Sequence, residues 1–248
     1  MPRLDLEMVA RKLVPTRSRA LDLIRRGFVS VGGVVVTKAG MDVVADATIA
    51  LSVATPGYVS RGAEKLIGGL EHFRFDVSGR YALDIGASTG GFTEVLLQRG
   101  AAHVTAVDVG REQLHPKLAA DPRVTVRERT DARQLVATDF AAPIDAVTAD
   151  VSFIALEKAL PIALGLAAPG AWLIALVKPQ FEVGRQHIGK RGIVRDAAAS
   201  SAAIARITAW LETSGWSVAG TIASPITGTD GNQEYLVGAE KQATSSAA

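Results

Sequence analysis

From residue 81 onward, short, mainly apolar runs alternate with helix-like stretches, and a glycine cluster, an acid or a lysine follows each run within a few residues. The runs are 81–85, 103–107, 124–126, 144–149 and 171–177. A run that is apolar throughout, rather than at alternate positions, predicts a strand buried on both faces, as in a parallel sheet covered by helices. An open sheet of that kind binds its ligand beyond the carboxyl ends of its strands. In this chain those ends carry Gly86-Ala-Ser-Thr-Gly-Gly91, then Asp108, Thr130-Asp131, Asp150 and Lys178.

Glycines after a first strand let a cofactor approach the backbone, and an acid ending the second strand pairs with ribose hydroxyls. Both properties suit NAD and S-adenosylmethionine alike. The spacing here is Gly-x-x-x-Gly-Gly, with Asp84 inside the preceding strand. A carboxylate there repels a pyrophosphate but suits a donor carrying an ammonium and a sulfonium, and Asp131 can accept a hydrogen bond from an adenine amino group. The expected cofactor is therefore S-adenosyl-L-methionine. Its expected contacts are Asp84, Gly86, Ala87, Ser88, Thr89, Gly90, Gly91, Phe92, Asp108, Asp131 and Asp150.

The acceptor chemistry follows from Asp150 and Lys178 at two of these ends. A ribose 2′-hydroxyl is a very weak acid and a poor nucleophile. It needs to be held in line with the donor methyl, with a cation beside the oxygen as negative charge develops. Lys178 fits that central role, and Asp150 can orient both Lys178 and the donor. Lys65, in Arg61-Gly-Ala-Glu-Lys65, and Glu234, in Asn232-Gln-Glu234-Tyr, extend an alternating-charge set. Their expected work is to hold the ribose, although nothing in the spacing alone forces them into the same cleft. Phe153 and Phe181, close after Asp150 and Lys178, are candidates for stacking a displaced base, with ordinary core packing as the alternative.

The first fifty residues differ in composition. Residues 1–38 hold eight Lys or Arg against three acids, a surplus of +5, while the remainder has 19 against 22, or −3. A basic segment joined to a slightly acidic body indicates a polyanion-binding module. Its pattern predicts one helix with Leu4, Leu6, Met8, Val9 and Leu13 on its apolar side, ending near Pro15. A second helix is expected to be capped by Ser18 and ended by Gly27, followed by a Gly32-Gly33 hairpin and a strand over 48–53.

The 248-residue chain has no cysteine, which excludes a disulfide scaffold, a thiolate metal site and a cysteine nucleophile. Residues 159–177 carry no charge, but Pro161, Gly165 and Pro169-Gly170 interrupt them. They predict a buried helix, a turn and a strand beginning at Ala171 rather than a membrane span. Charges within Met1–Glu7 leave no apolar core for an export signal, so a cytoplasmic location is expected, with no membrane partner and no metal.

Residues 3–53, through Arg3-Leu-Asp5, Ser18 to Gly27 and Val29 to Lys38, resemble the α-L RNA-binding domain of a small-subunit ribosomal protein and of many pseudouridine synthases. That resemblance implies RNA contacts from Arg3, Arg17, Arg19, Arg25 and Arg26, with Tyr58 in the connector packing or touching RNA. The set Lys65, Asp150, Lys178 and Glu234 matches the Lys-Asp-Lys-Glu set of FtsJ-like ribose 2′-O-methyltransferases. More closely, Val59 to Lys65, Asp84 to Glu94, Ala149 to Ile154 and Val177 to Gly184 resemble the TlyA (haemolysin A) family. The implied fold is a Rossmann-like class I methyltransferase sheet behind a small α-L domain. The expected limits are 1–54 for the RNA-binding domain, 55–59 for a linker, 60–240 for the catalytic domain and 241–248 for a disordered tail.

The resemblance also implies methylation of a cytidine 2′-oxygen in 23S ribosomal RNA, with some members acting on 16S as well. Broader members tend to carry extensions at both ends, so the short ends here favour 23S. Relatives can carry a tryptophan where this chain has Tyr58. Ribosomal RNA or a ribosomal subunit is the expected partner, and a monomer the expected state. The competing readings are a pore-forming haemolysin, a nicotinamide-dependent oxidoreductase and an RNA base methyltransferase.

Overall fold

The computed structural model describes residues 2–14, 16–25, 28–44, 46–51, 57–189, 192–228 and 231–243, with only the backbone at Ser18 and Asp22. Pro15, Arg26, Gly27, residues 52–56 of the connector and 244–248 of the tail lie outside the described residues. The chain divides into two compact units, Met1–Arg61 and Gly62–Ala248.

The first unit comprises α1 (Leu4–Ala10), α2 (Arg17–Arg25), β1 (Val29–Val31), β2 (Val34–Val35) and β3 (Ile49–Leu51), with the strands ordered β2-β1-β3. Leu4 and Met8, four residues apart on one face of α1, bury against Ala20, Leu23 and Ile24 of α2 and against Val29 and Val43. Leu6, expected on that face, is exposed because it sits half a turn away. The second helix also begins earlier than expected. Thr16 Oγ1 accepts from the Arg19 amide at 3.2 Å, and Ser18 already lies inside the first turn. Gly32 and Gly33 form the hairpin turn between β1 and β2.

The second unit opens with α3 (Gly62–Phe73), which the sequence patterning did not predict. Then follow β4 (Tyr81–Ile85), α4 (Gly91–Gln98), β5 (His103–Val107), α5 (Pro116–Ala119), β6 (Val124–Arg127) and β7 (Ile144–Ala149). The chain continues through α6 (Leu156–Ala159), α7 (Pro161–Leu166), β8 (Ala167–Val177), α8 (Pro179–Glu182), α9 (Ala197–Thr213), β9 (Trp216–Ala223) and β10 (Tyr235–Lys241). The sheet order is β6-β5-β4-β7-β8-β10-β9, parallel except where β10 pairs with β8 and β9. The order reverses between β4 and β7, and that switch point is where an open sheet presents its cleft.

Strand alternation sorts the sheet's side chains. Leu83, Val147, Leu173 and Val237 enter one core with Leu160, Leu164, Ile207 and Leu211, while Asp84 and its in-register neighbour Thr148 turn to the other face. β8 starts at Ala167, four residues before the expected Ala171. Pro169 and Gly170 are absorbed in an irregularity, since Ile144 pairs with Ala167 but Ala146 pairs with Trp172. Among the described residues no helix is long and apolar enough to cross a membrane.

Candidate active site

The cleft lies at the β4–β7 switch point, with a volume of about 400 Å³, and Gly86, Ser88, Asp108, Asp131, Asp150 and Phe153 are among its walls. Gly86 turns the chain at φ +78°, and a Cβ there would meet the Asp150 carbonyl oxygen at 2.6 Å. Only glycine lets this loop lie against the end of β7. The Asp150 amide completes the junction by donating to the Ile85 carbonyl at 2.9 Å. Asp108 accepts from the Ser88 amide (2.8 Å) and the Gly110 amide (2.7 Å), one on each oxygen. Each oxygen keeps a second acceptor direction for a ligand hydroxyl. Asp131 is already forked by Arg133, with the shortest contact 2.5 Å, and that hydrogen bonding holds its carboxyl below the usual carboxylate range. An incoming amino group would therefore have to share Asp131 with an exposed guanidinium.

Asp84 departs from the expectation. It is 0% exposed and does not line the cleft; its oxygens accept from Thr93 of α4 (2.6 Å) and Thr148 of β7 (2.9 Å). Parity explains this: Asp84 lies between two residues that face the opposite core. Its carboxylate pins β4, α4 and β7 behind the glycine loop rather than facing a donor. Ala87, Gly90, Gly91 and Phe92 are buried and Thr89 is half-buried, and none of the five is among the residues lining this cleft.

Burial, opposed by the two threonine hydrogen bonds, pushes Asp84 up to about 6. The folded state therefore holds this proton more tightly than the unfolded chain, so stability falls as pH rises from about 4 to about 6 and stays lower above that. We expect Asp84→Asn to gain roughly 3 kcal/mol relative to wild type between pH 4 and pH 7, as 1.36 kcal/mol per pKa unit implies. Denaturant titrations at several pH values check this; a pH-independent difference would contradict the buried, proton-sharing carboxyl.

Beyond Asp150 runs a chain of alternating charge. Lys178 Nζ lies 2.6 Å from Asp150 Oδ1, and Lys65 Nζ lies 3.9 Å from Asp150 Oδ2 and 2.5 Å from Glu234 Oε2. The Lys178 contact misses hydrogen-bonding alignment, leaving Asp150 Oδ1 buried without a donor. The ammonium donates to Ser152 Oγ at 2.8 Å instead. The structure thus joins all four residues that the sequence singled out. Register explains two of them: Tyr235 opposes Val177, so Glu234, one step earlier on β10, comes level with Lys178 one step beyond β8. Close helix–sheet packing explains the third. A Cβ at Gly69 would lie 3.2 Å from Ile174, so glycine lets α3 settle onto β8 and β10 and carry Lys65 to Glu234.

Lys65 and Glu234 are buried, and neither lines the cleft. Their charged ends meet each other, and that of Lys65 also reaches Asp150. Three supporting residues escaped sequence reasoning. Ser152 and Thr148 lie two positions either side of Asp150, a strand-parity signal that could have marked them. Asn232 accepts from the Val194 amide (2.9 Å) and donates to the Gly192 carbonyl (3.0 Å), which ties a neighbouring hairpin to the approach of Glu234. The sequence placed Asn232-Gln-Glu234 as the segment that brings Glu234 to the site, but not the partners that fix it.

Phe153 is 90% exposed at φ +64°, and its ring lies 4.9 Å from that of Phe181. An aromatic side chain held open in the left-handed region is a locally strained arrangement, the kind that collects at functional sites. Core packing, the alternative for both rings, therefore fails for Phe153. In the first unit, Arg3, Arg17 and Arg25 are exposed and Arg19 half-buried, while Arg26 lies outside the described residues. Tyr58 is half-buried. Among the described residues no group of three or more acids or histidines could hold a metal ion.

Sheet order, glycine loop and cleft define a Rossmann-like methyltransferase, and the FtsJ-like methyltransferase family matches residues 58–241, with the S4 domain matching 2–49. Over 238 residues the chain is 46% identical to the 16S/23S rRNA (cytidine-2'-O)-methyltransferase TlyA of Mycobacterium tuberculosis, spanning 95% of this chain and 88% of that one. The chain belongs to the TlyA family of FtsJ-like methyltransferases. Hemolysin A of Brachyspira hyodysenteriae is 37% identical over 94% of this chain and 98% of its own length. A solved Streptococcus thermophilus structure that also carries a hemolysin name superposes with TM-score 0.79 at 39% identity, covering 97% of this chain and 88% of that one.

Proposed function

We propose that the protein transfers the methyl group of S-adenosylmethionine to the 2′-oxygen of a cytidine ribose in ribosomal RNA, with 23S RNA the first candidate. The observation that carries this reading is the chain Glu234–Lys65–Asp150–Lys178, which reaches the cleft wall at Asp150 and holds the Lys178 ammonium against that carboxylate. The activity that names the M. tuberculosis relative supports the same substrate class. Residues 1–54 are assigned to RNA binding and 60–240 to catalysis.

The residues present fit the methyl donor. Gly86 and Ser88 line the cleft, and Asp108 has acceptor directions free for a ribose diol. When bound, S-adenosylmethionine supplies an electrophilic methyl group on a positively charged sulfur. The chain's own residues do the rest. Asp150 aligns Lys178 from one side and Ser152 from the other, so that Nζ faces a hydroxyl oxygen entering the cleft. That cation would stabilise negative charge on the oxygen as its proton passes to water and the O–C bond forms at the expense of the donor's S–C bond. The buried Lys65–Glu234 pair keeps Asp150 from turning away. Phe153 offers a face on which a displaced base can stack.

The test is incubation with labelled donor and each ribosomal subunit, followed by nuclease digestion and mass mapping. We expect a methyl group on one cytidine sugar, lost on Lys178→Ala and reduced on Phe153→Ala. A methyl on a base, or no transfer to either subunit, would overturn the reading. Transfer to 16S as well would widen it.

A further inference from the structure

Asp5 is a fully buried acid at the start of α1, in the part of the chain richest in cations. Its Oδ1 accepts from Arg3 Nε at 3.0 Å, and its Oδ2 accepts from Arg3 Nη2 at 3.2 Å and Arg17 Nε at 2.7 Å. Burial pushes the Asp5 carboxyl up, but the two guanidinium groups outweigh it and hold the group below the usual carboxylate range. The carboxylate is therefore charged at neutral pH.

Both arginines reach it from fixed backbone. The Leu4 amide donates to the Met41 carbonyl (2.8 Å) and the Asp5 amide to Ala39 (3.2 Å), stapling residues 4–5 to 39–41. Gly40 lies against Arg3, where a Cβ would touch the guanidinium at 3.4 Å. Arg17 opens α2, whose inner face is packed on α1. Each guanidinium is held along its Nε edge. Yet the side chains remain 47% and 54% exposed, and Arg17 keeps both terminal amino groups for a ligand.

We infer that Asp5 is a positioning residue that sets Arg3 and Arg17 as a paired clamp for one backbone phosphate of RNA. Both guanidinium groups meet at Asp5 Oδ2, Arg3 Nη2 at 3.2 Å and Arg17 Nε at 2.7 Å, which holds them side by side and close enough for one phosphate to take a hydrogen bond from each. Fixing them beforehand also removes the ordering cost of two long side chains. The inference rests on the reading that this unit binds RNA, and the two can fail separately.

The experiment measures the Kd of the full chain for 23S ribosomal RNA transcripts across a salt series. Simple electrostatics predicts that Asp5→Asn, by removing a negative charge, tightens binding and steepens the salt dependence. The clamp predicts the opposite: binding about tenfold weaker, with the log–log salt slope shallower by about 1. Arg17→Lys, which keeps both the charge and Asp5 but loses the fork, is expected to weaken binding similarly. Because Asp5→Asn could loosen the domain, its thermal transition is read in parallel, and the Arg17→Lys arm stands independently of that result. Unchanged or tighter binding in Asp5→Asn and unchanged binding in Arg17→Lys, while Arg3→Ala weakens it, would overturn the clamp and leave RNA binding intact. No effect from Arg3→Ala or Arg17→Ala would remove this face from RNA binding altogether, and the clamp with it.

Discussion

Lys178→Ala is expected to cut methyl transfer by about 1000-fold, the scale seen when one preorganised charge is removed from a developing oxyanion. The loss should fall on kcat, with the affinity for S-adenosylmethionine largely kept. Lys178 does not line the donor cleft, whereas Asp150, which does, would remain. Single-turnover rates with saturating donor, alongside calorimetric donor binding, separate the two effects. Lys178→Arg is expected to fail almost as badly. A planar guanidinium cannot take the place of an ammonium that stands 2.6 Å from Asp150 and 2.8 Å from Ser152. Wild-type turnover in the alanine variant would remove Lys178 from the chemistry, and lost donor affinity with intact turnover would reassign it to the donor.

The largest stability effect is expected at Lys65, the buried cation between two carboxylates. Replacing it by methionine preserves much of the volume but strands the Glu234 carboxylate, which is buried 2.5 Å from Lys65 Nζ, and removes a neighbouring charge from Asp150. Breaking a buried pair on one side typically costs about 3–5 kcal/mol, because the remaining charge is left without water or partner. For a unit of this size that corresponds to a fall in Tm on the order of 10 °C. The double variant Lys65→Met/Glu234→Gln should recover much of the stability while staying inactive. A single-variant loss below about 1 kcal/mol would show that water reaches Glu234 and that the pair is not a buttress.

How far the sequence could be read depended on the range of the forces involved. The parallel core was legible because wholly apolar runs such as Ala171–Val177 have few other places to go. The glycine loop was legible because its spacing is local. Asp84 was misplaced because its proximity to the glycines outweighed strand parity: with Leu83 and Ile85 in the core, the residue between them must face the other way. Thr16 and Ser18 differ by only two positions, and choosing the cap needs to know where α2 meets α1. The hardest contact was Lys65 with Glu234, 169 residues apart. It exists only once α3 has settled through Gly69 and β10 has paired with β8, and neither event leaves a pattern near either residue.

The position of β10 bears on how the enzyme comes into being. Of the described strands it comes latest in sequence, yet it lies inside the sheet between β8 and β9, and Glu234 stands immediately before it. A polypeptide emerging from the ribosome releases its S4 domain before residue 234. Until then β9 has no neighbour through which to join the sheet, and Lys65 waits without its carboxylate. Translation therefore delivers the capacity to hold RNA before the capacity to modify it. For the same reason, a chain cut between residues 235 and 241 loses an interior strand of the sheet rather than an edge one.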